Sequence, residues 1–232
     1  PPHGTSRRQR QMCIRDRRYL KEWLASNAGR GYVNYNPDSD EFSLSPEQAA
    51  VFAREGEPTC IQGLVQGVVG QFVKEDVAID VFKTGRGRPW GEHHECCFCG
   101  TERFFRPAYA GHLLNEWIPA MDGVQEKLKK GAKVADIGCG LGTSSMLMAE
   151  EFPNSIIHAF DFHGPSIEEA QKRANEKGLT NLEFFVSDAA NIPNNGYDLA
   201  CIFDAWHDMG DPVGIAEGIK NTLKKDGTFM VV

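Results

Sequence analysis

From residue 132 onward, apolar positions fall in two alternating rhythms. Near-continuous apolar runs at 132–137, 155–160, 182–186, 197–203 and 227–232 have the length and composition of strands buried on both faces. Between them, 143–152, 165–177 and 211–224 repeat apolar residues at helical spacing. Strand and helix in alternation predict an α/β domain, a doubly wound, mostly parallel sheet with helices on both sides. Nothing caps the run at 227–232, so the sheet reads as truncated after its fifth strand and the chain as a fragment.

Upstream the rhythm is different. Tyr19, Leu20, Trp23 and Leu24 predict an amphipathic helix over 18–29. Alternation at 32–35 and 41–44, around the turn Asn36-Pro37-Asp38-Ser39-Asp40, predicts a hairpin. Ser45-Pro46-Glu47 then opens a helix, with a capping hydroxyl, a proline at the first helical position and an acid in the first turn. Residues 59–83 predict a further helix, ended by the glycine-rich loop 85–91. Residues 110–130 predict one amphipathic helix whose lysines suit its carboxyl end. The organisation expected is 1–17 foreign and disordered, 18–109 a helix-and-hairpin module with a helical linker, and 110–232 the α/β domain. Residues 1–17 resemble translated sequencing adapter.

Charge sharpens this picture. The chain carries net −7, but 1–17 contributes +4, leaving −11 on 18–232. Such an acidic body disfavours a general nucleic-acid surface. No run of about 18 apolar residues exists, so no membrane span is expected. Neither is a secretion signal visible, and a reducing cytoplasm is the expected compartment for the seven cysteines.

The chemistry concentrates after the first strand of the α/β domain. Asp136-Ile137-Gly138-Cys139-Gly140-Leu141-Gly142-Thr143 reads as a strand, a tight turn and a helix start. Glycines let the backbone turn and a ligand approach, and the free N–H groups of the helix start face that ligand. The spacing is G-x-G-x-G rather than the dinucleotide G-x-G-x-x-G, because Thr143 occupies the last position. No Lys-Ser or Lys-Thr follows, which excludes a P-loop. Asp161 comes 19 residues after Gly142, at the end of the next strand pattern, where a nucleotide site needs a carboxylate for ribose hydroxyls.

This turn resembles the first motif of the class I S-adenosylmethionine-dependent methyltransferases. Three later segments match that family in order: His158-Ala159-Phe160-Asp161-Phe162, Phe184-Phe185-Val186-Ser187-Asp188-Ala189 and Tyr197 through Asp204-Ala205. The resemblance implies a Rossmann-like fold and S-adenosylmethionine as cofactor. It assigns the amino-acid portion to Asp136 and to the turn Gly138, Cys139, Gly140, Gly142 and Thr143. The ribose falls to Asp161, beside Phe162. The adenine falls to Asp188, with Ser187 and Ala189, and Phe203, Asp204 and Ala205 form the floor near the methionine end.

The segment Asp204-Ala205-Trp206-His207-Asp208-Met209-Gly210-Asp211 resembles the His-Asp-x-x-Asp stretch of the plant-type small-molecule O-methyltransferases, with Met209 where those enzymes usually have Trp. The resemblance implies His207, with Asp208, as catalytic residues; histidine suits a general base because it titrates near neutrality. Over 18–232 the chain is similar to bacterial winged-helix-containing methyltransferases, through the wing, 91–94 and 101–107. That implies a homodimer formed through the amino-terminal module. His94 or Trp90 is a further candidate for the acceptor pocket. Cys96 and Cys99 have metal-ligand spacing beside His93 and His94, but no second pair follows, so no metal is assigned.

Two functions stand. One is methyl transfer to a small-molecule acceptor, most readily an oxygen. The other is a winged-helix DNA-binding regulator with a methyltransferase-like sensor domain. Residues 18–110 hold ten basic and thirteen acidic residues, a poor balance for phosphate contacts. A Rossmann-type dehydrogenase is disfavoured by Thr143.

Overall fold

The computed structural model describes the backbone from Arg7 and side chains from Arg17. It divides into two compact units, 1–62 and 63–232.

In the first unit, helix α1 spans Arg7–Ala28. It starts well before residue 18, inside the stretch expected to be disordered. No glycine or proline interrupts 7–28, and arginine, glutamine and methionine favour helix. The foreign-looking residues 1–6 lie outside the described residues. Strands β1 (Asn34–Asn36) and β2 (Glu41–Ser43) form the predicted antiparallel hairpin. Helix α2 (Pro46–Phe52) starts as the sequence indicates, and its cap is reciprocal. Ser45 Oγ accepts from Gln48 N–H, and Gln48 Oε1 accepts from Ser45 N–H at 2.8 Å.

The second unit opens with α3 (Gln62–Val73) and α4 (Glu75–Thr84), which split the single helix expected over 59–83. Helix α5 (Glu95–Ala108) carries the cysteine cluster through a segment expected to be a linker. Helices α3 and α5 touch backbone to backbone. A Cβ added at Gly63 would lie 2.5 Å from Phe104 N, and one at Gly70 would lie 2.9 Å from Cys97 N. The predicted 110–130 helix is two pieces, a π-helical stretch at Tyr109–Trp117 and α6 at Val124–Lys130. Pro119 lacks an amide donor and Gly123 turns left-handed (φ +71°), so the first cannot run into the second.

The α/β part matches its sequence pattern closely. Strands β3 (Lys133–Ile137), β4 (Ile156–Asp161), β5 (Leu182–Val186), β6 (Tyr197–Ile202) and β7 (Leu223–Val231) alternate with α7 (Thr143–Glu151), α8 (Gly164–Glu176) and α9 (Pro212–Thr222). The sheet is parallel, in the order β5-β4-β3-β6-β7. The central strands β3, β4 and β6 are buried on both faces. Val134, Leu199 and Cys201 pack in one core with Met148 and Phe152 of the α7 side, while Ala135, Ile137 and Ile202 pack with Ile215 and Ile219 of α9. The chain moves outward from β3 to β5, then returns beside β3 as β6. That reversal puts a crevice at the carboxyl ends of β3 and β6, where open α/β sheets bind ligands.

The chain does not divide near 109. Thr143 Oγ1 donates to Glu102 Oε1 at 2.9 Å, and the Phe98 ring stacks on His163 at 4.7 Å, so α5 belongs with the sheet.

Candidate functional site

The turn after β3 is left-handed at Gly138 (φ +73°), Gly140 (φ +53°) and Gly142 (φ +75°). Any L side chain is strained there. The three glycines serve different ends. A Cβ at Gly138 would come within 2.8 Å of Ala205 Cβ, and one at Gly142 within 2.7 Å of the Phe184 ring. Gly140 has nothing within 4 Å on its open side. The outer two glycines therefore pack the turn, and the middle one leaves a surface that a ligand can approach.

Backbone bonds fix the turn against β4. Gly138 N–H and Cys139 N–H both donate to Phe160 O, at 2.8 and 3.0 Å. Gly140 N–H donates to Asp161 Oδ2 at 2.8 Å, and His163 N–H donates to Asp161 Oδ1 at 2.8 Å. Asp161 is thus clamped at the lip of the turn. Asp188 Oδ1 accepts from Ala190 N–H at 2.8 Å and caps the short turn after β5.

Asp136 occupies a different place from the one expected. It is fully buried and does not border the cleft. Its position on β3 turns it under the start of α7, where Ser144 Oγ and Ser145 Oγ donate to Oδ2 at 2.6 and 2.5 Å. Oδ1 is buried with no partner. Burial raises the carboxyl to about 6, against the two serine bonds that favour its charge.

The crevice is a cleft of about 560 Å³ within residues 63–232. From the glycine turn it is bordered by Gly138, Cys139, Gly140 and Thr143. Asp161 and Phe162 follow, then Ser187, Asp188 and Ala189. Phe203, Asp204, Ala205 and Asp208 close the β6 side. Asp136, Gly142 and His207 are the three predicted site residues that do not border it.

His207 misses the cleft because of the turn that carries it. Residues 206–208 form a single 3-10 turn, and Trp206 takes the inward place, packing on Phe229 and donating Nε1–H to Pro212 O at 2.9 Å. The neighbouring His207 is pushed outward and its side chain is 64% exposed. It sits beside two carboxylates, with Nδ1 3.9 Å from Asp204 Oδ1 and Nε2 3.5 Å from Asp208 Oδ1. Asp204 itself is held at φ +47°, an unusual conformation for a residue with a side chain. Its N–H donates to Val232 O at 2.9 Å. Burial raises its carboxyl, His207 lowers it and Asp208 raises it.

A further wall of the cleft is built by residues that the motifs did not assign. Phe98, Thr101, Glu102 and Phe105 come from α5, Tyr109 from the π-helical stretch, and Gln71, Arg88 and His93 from the chain before α5. Trp90 borders the cleft, whereas His94 caps α5, its Nδ1 accepting from Cys96 N–H at 3.2 Å. Burial keeps the Tyr109 phenol protonated, pushing it well above its usual range, and lowers His93, which Arg88 lowers further. The sequence signal for this wall was present in the resemblance at 91–94 and 101–107, but it carried no roles. Cys97 is buried against α3 and Cys99 is exposed. Among the described residues no three histidine, cysteine or acidic side chains converge as a metal site.

Comparison with known proteins agrees with this geometry. Residues 128–232 match the family described as "Methyltransferase domain". A ubiquinone biosynthesis O-methyltransferase of Actinobacillus pleuropneumoniae is 32% identical over 126 residues, covering 51% of this chain and 52% of the relative. A sterol 24-C-methyltransferase of Gibberella zeae is 31% identical over 160 residues, covering 67% of this chain and 39% of the relative. The chain therefore spans about half or less of the curated relatives it matches. The solved structure of the mitomycin 7-O-methyltransferase MmcR shares the fold over 92% of this chain and 65% of its own, with a TM-score of 0.67 at 19% identity. Sheet order, glycine turn and family match converge, and residues 128–232 form a class I methyltransferase domain whose cofactor is S-adenosylmethionine.

Proposed function

We propose that this chain transfers a methyl group to an oxygen of a small-molecule acceptor. The observation that carries the reading is the continuity of one cleft. It is bordered both by the glycine turn and by an aromatic wall of Trp90, Phe98, Phe105 and Tyr109, a surface suited to a flat acceptor beside the cofactor. Both the ubiquinone-biosynthesis relative and MmcR are O-methyltransferases by name.

The residues present fit the cofactor. Gly140 leaves an open approach, Asp161 would accept from the ribose hydroxyls, and Asp188 with the backbone at Ala189 would meet the adenine. S-adenosylmethionine supplies a methyl group on a positively charged sulfur. What the protein adds is alignment, exclusion of water by the aromatic wall, and removal of the acceptor proton. We assign that proton to the His207–Asp208 pair. Asp208 borders the cleft, and His207 Nε2 lies 3.5 Å from its Oδ1. Catalytic hydrogen bonds are often completed only when substrate binds.

The test is incubation with methyl-labelled S-adenosylmethionine and a panel of phenols, hydroxy acids and amines, with release of S-adenosylhomocysteine as readout. Labelled oxygen ethers or esters are the expected products. Exclusive labelling of nitrogen or carbon would overturn the oxygen assignment.

A further inference from the structure

Arg86 and Arg88 stand two residues apart and have opposite fates. Arg86 is on the surface and is satisfied, with Nε 3.0 Å from Asp80 Oδ2 and Nη1 3.1 Å from Glu92 Oε2. Arg88 lines the cleft. Its Nη1 donates to Gln71 Oε1 at 3.0 Å, while Nε and Nη2 are buried and have no partner. Among the described residues no carboxylate pairs with it. Glu102, in the same cleft, already receives Thr143 Oγ1 and has Arg106 and Arg173 at 3.7 and 3.8 Å. Asp208 is near enough to act electrostatically on His93 without pairing with Arg88.

A guanidinium with buried, unmade hydrogen bonds is costly, and native proteins tolerate it where a ligand completes it. The free edge is specific. Nε–H and one Nη–H point the same way and form the fork that takes a carboxylate through two parallel bonds. The neighbours reinforce this polarity. Because Gln71 Oε1 accepts from Arg88, its Nε2 is the donor, and it lies 3.3 Å from His93 Nδ1. His93, whose pKa burial and Arg88 lower, then bears its proton on Nε2. Arg88 and His93 therefore both offer donors here. Trp90 and Phe98, whose rings lie 5.2 Å apart, supply flat apolar surface beside them.

We propose that Arg88 receives a carboxylate of the methyl acceptor, so that the substrate class is an aromatic or otherwise planar hydroxy acid. This rests on the methyl-transfer reading above. The carboxylate could instead be that of the cofactor's own methionine, and the experiment separates the two.

Calorimetry is run on the 232-residue chain saturated with S-adenosylhomocysteine. Benzoate and its neutral isostere benzamide are the probes. The expected result is at least tenfold tighter binding of benzoate, a preference that Arg88→Gln abolishes with S-adenosylhomocysteine affinity unchanged. Arg88→Lys, which keeps the charge but loses the fork, should retain part of it, and serves if the glutamine variant does not fold. Equal binding of the two probes, or a benzoate preference that survives Arg88→Gln, overturns the proposal. So does a tenfold loss of S-adenosylhomocysteine affinity in either variant, which would assign Arg88 to the cofactor. Failure of the unmodified chain to bind S-adenosylhomocysteine would remove the reading beneath it.

Discussion

Burial lifts the Asp136 carboxyl from 3.8 to about 6, and this has a stability signature. The folded state holds that proton to higher pH than the unfolded chain does. The contribution is therefore complete below about 3.8 and is lost as pH rises through about 6. Two pH units of difference correspond to on the order of 3 kcal/mol. In Asp136→Asn the side-chain oxygen still accepts from Ser144 and Ser145, and no charge is ever buried. Thermal melts from pH 4 to 7.5 should show the wild type losing stability relative to the variant across that window. A constant difference between the two proteins would refute the assignment. His207 permits a second measurement. If it takes the acceptor proton with Asp208, His207→Ala should lower kcat about 100-fold with little change in KM. The deficit should shrink at alkaline pH as a phenolic acceptor ionises unaided. An unchanged kcat between pH 6 and 9 would leave the proton with another group.

At the scale of elements, α5 is where the sequence pattern was least informative. Its buried positions are Cys97, Gly100 and Pro107 rather than leucine or valine, and the cysteine cluster drew the reading toward a linker instead of a helix at 95–108. Its position depends on the absence of side chains. A Cβ at Gly100 would meet the backbone of Gly67, and one at Gly63 the backbone of Phe104. Neither neighbour is a flexible side chain that could swing away. Gly100→Ala must therefore push α3 and α5 apart, at about 1–3 kcal/mol or somewhat more. Because α5 carries Phe98, Glu102 and Phe105 into the cleft wall, the same change should weaken cofactor binding through the Glu102–Thr143 bond. Chemical denaturation and calorimetry would check both; a variant as stable as wild type would show that the helices have room to spare. The β-strands were legible for the opposite reason. Burial of β3, β4 and β6 on both faces demands unbroken apolar runs, while β7 misled, starting at Leu223 because its irregular pairing with β6 admits Lys224, Lys225 and Asp226.

For the whole molecule, the cleft border around the glycine turn could be located from one turn and one aspartate, because backbone geometry restricts which residues fit there. The rest of its border could not, since it is assembled from Gln71, Arg88, His93 and α5, which are far from the glycine turn in sequence and unconstrained in type. A second molecular-scale feature is an uncovered apolar stripe. On α3 the glycines face α5, while Leu64, Val65, Val68, Val69, Phe72 and Val73 are exposed, Phe72 by 74%. On α4, Ile79 and Phe82 are exposed as well, Phe82 by 92%. Monomers seldom leave such contiguous apolar surface in water, and a two-fold axis lets one patch cover its own copy. Among the described residues no helix is long and apolar enough to cross a membrane. We propose that α3 and α4 pack on a second copy, which light scattering at the concentrations used for calorimetry would report as a dimer. Replacing Phe72 and Phe82 together by glutamate should yield a monomer that keeps its S-adenosylhomocysteine affinity, because neither side chain borders the cleft. A wild-type monomer, or a dimer that survives the double replacement, would place the partner surface elsewhere and leave the stripe for a different occupant.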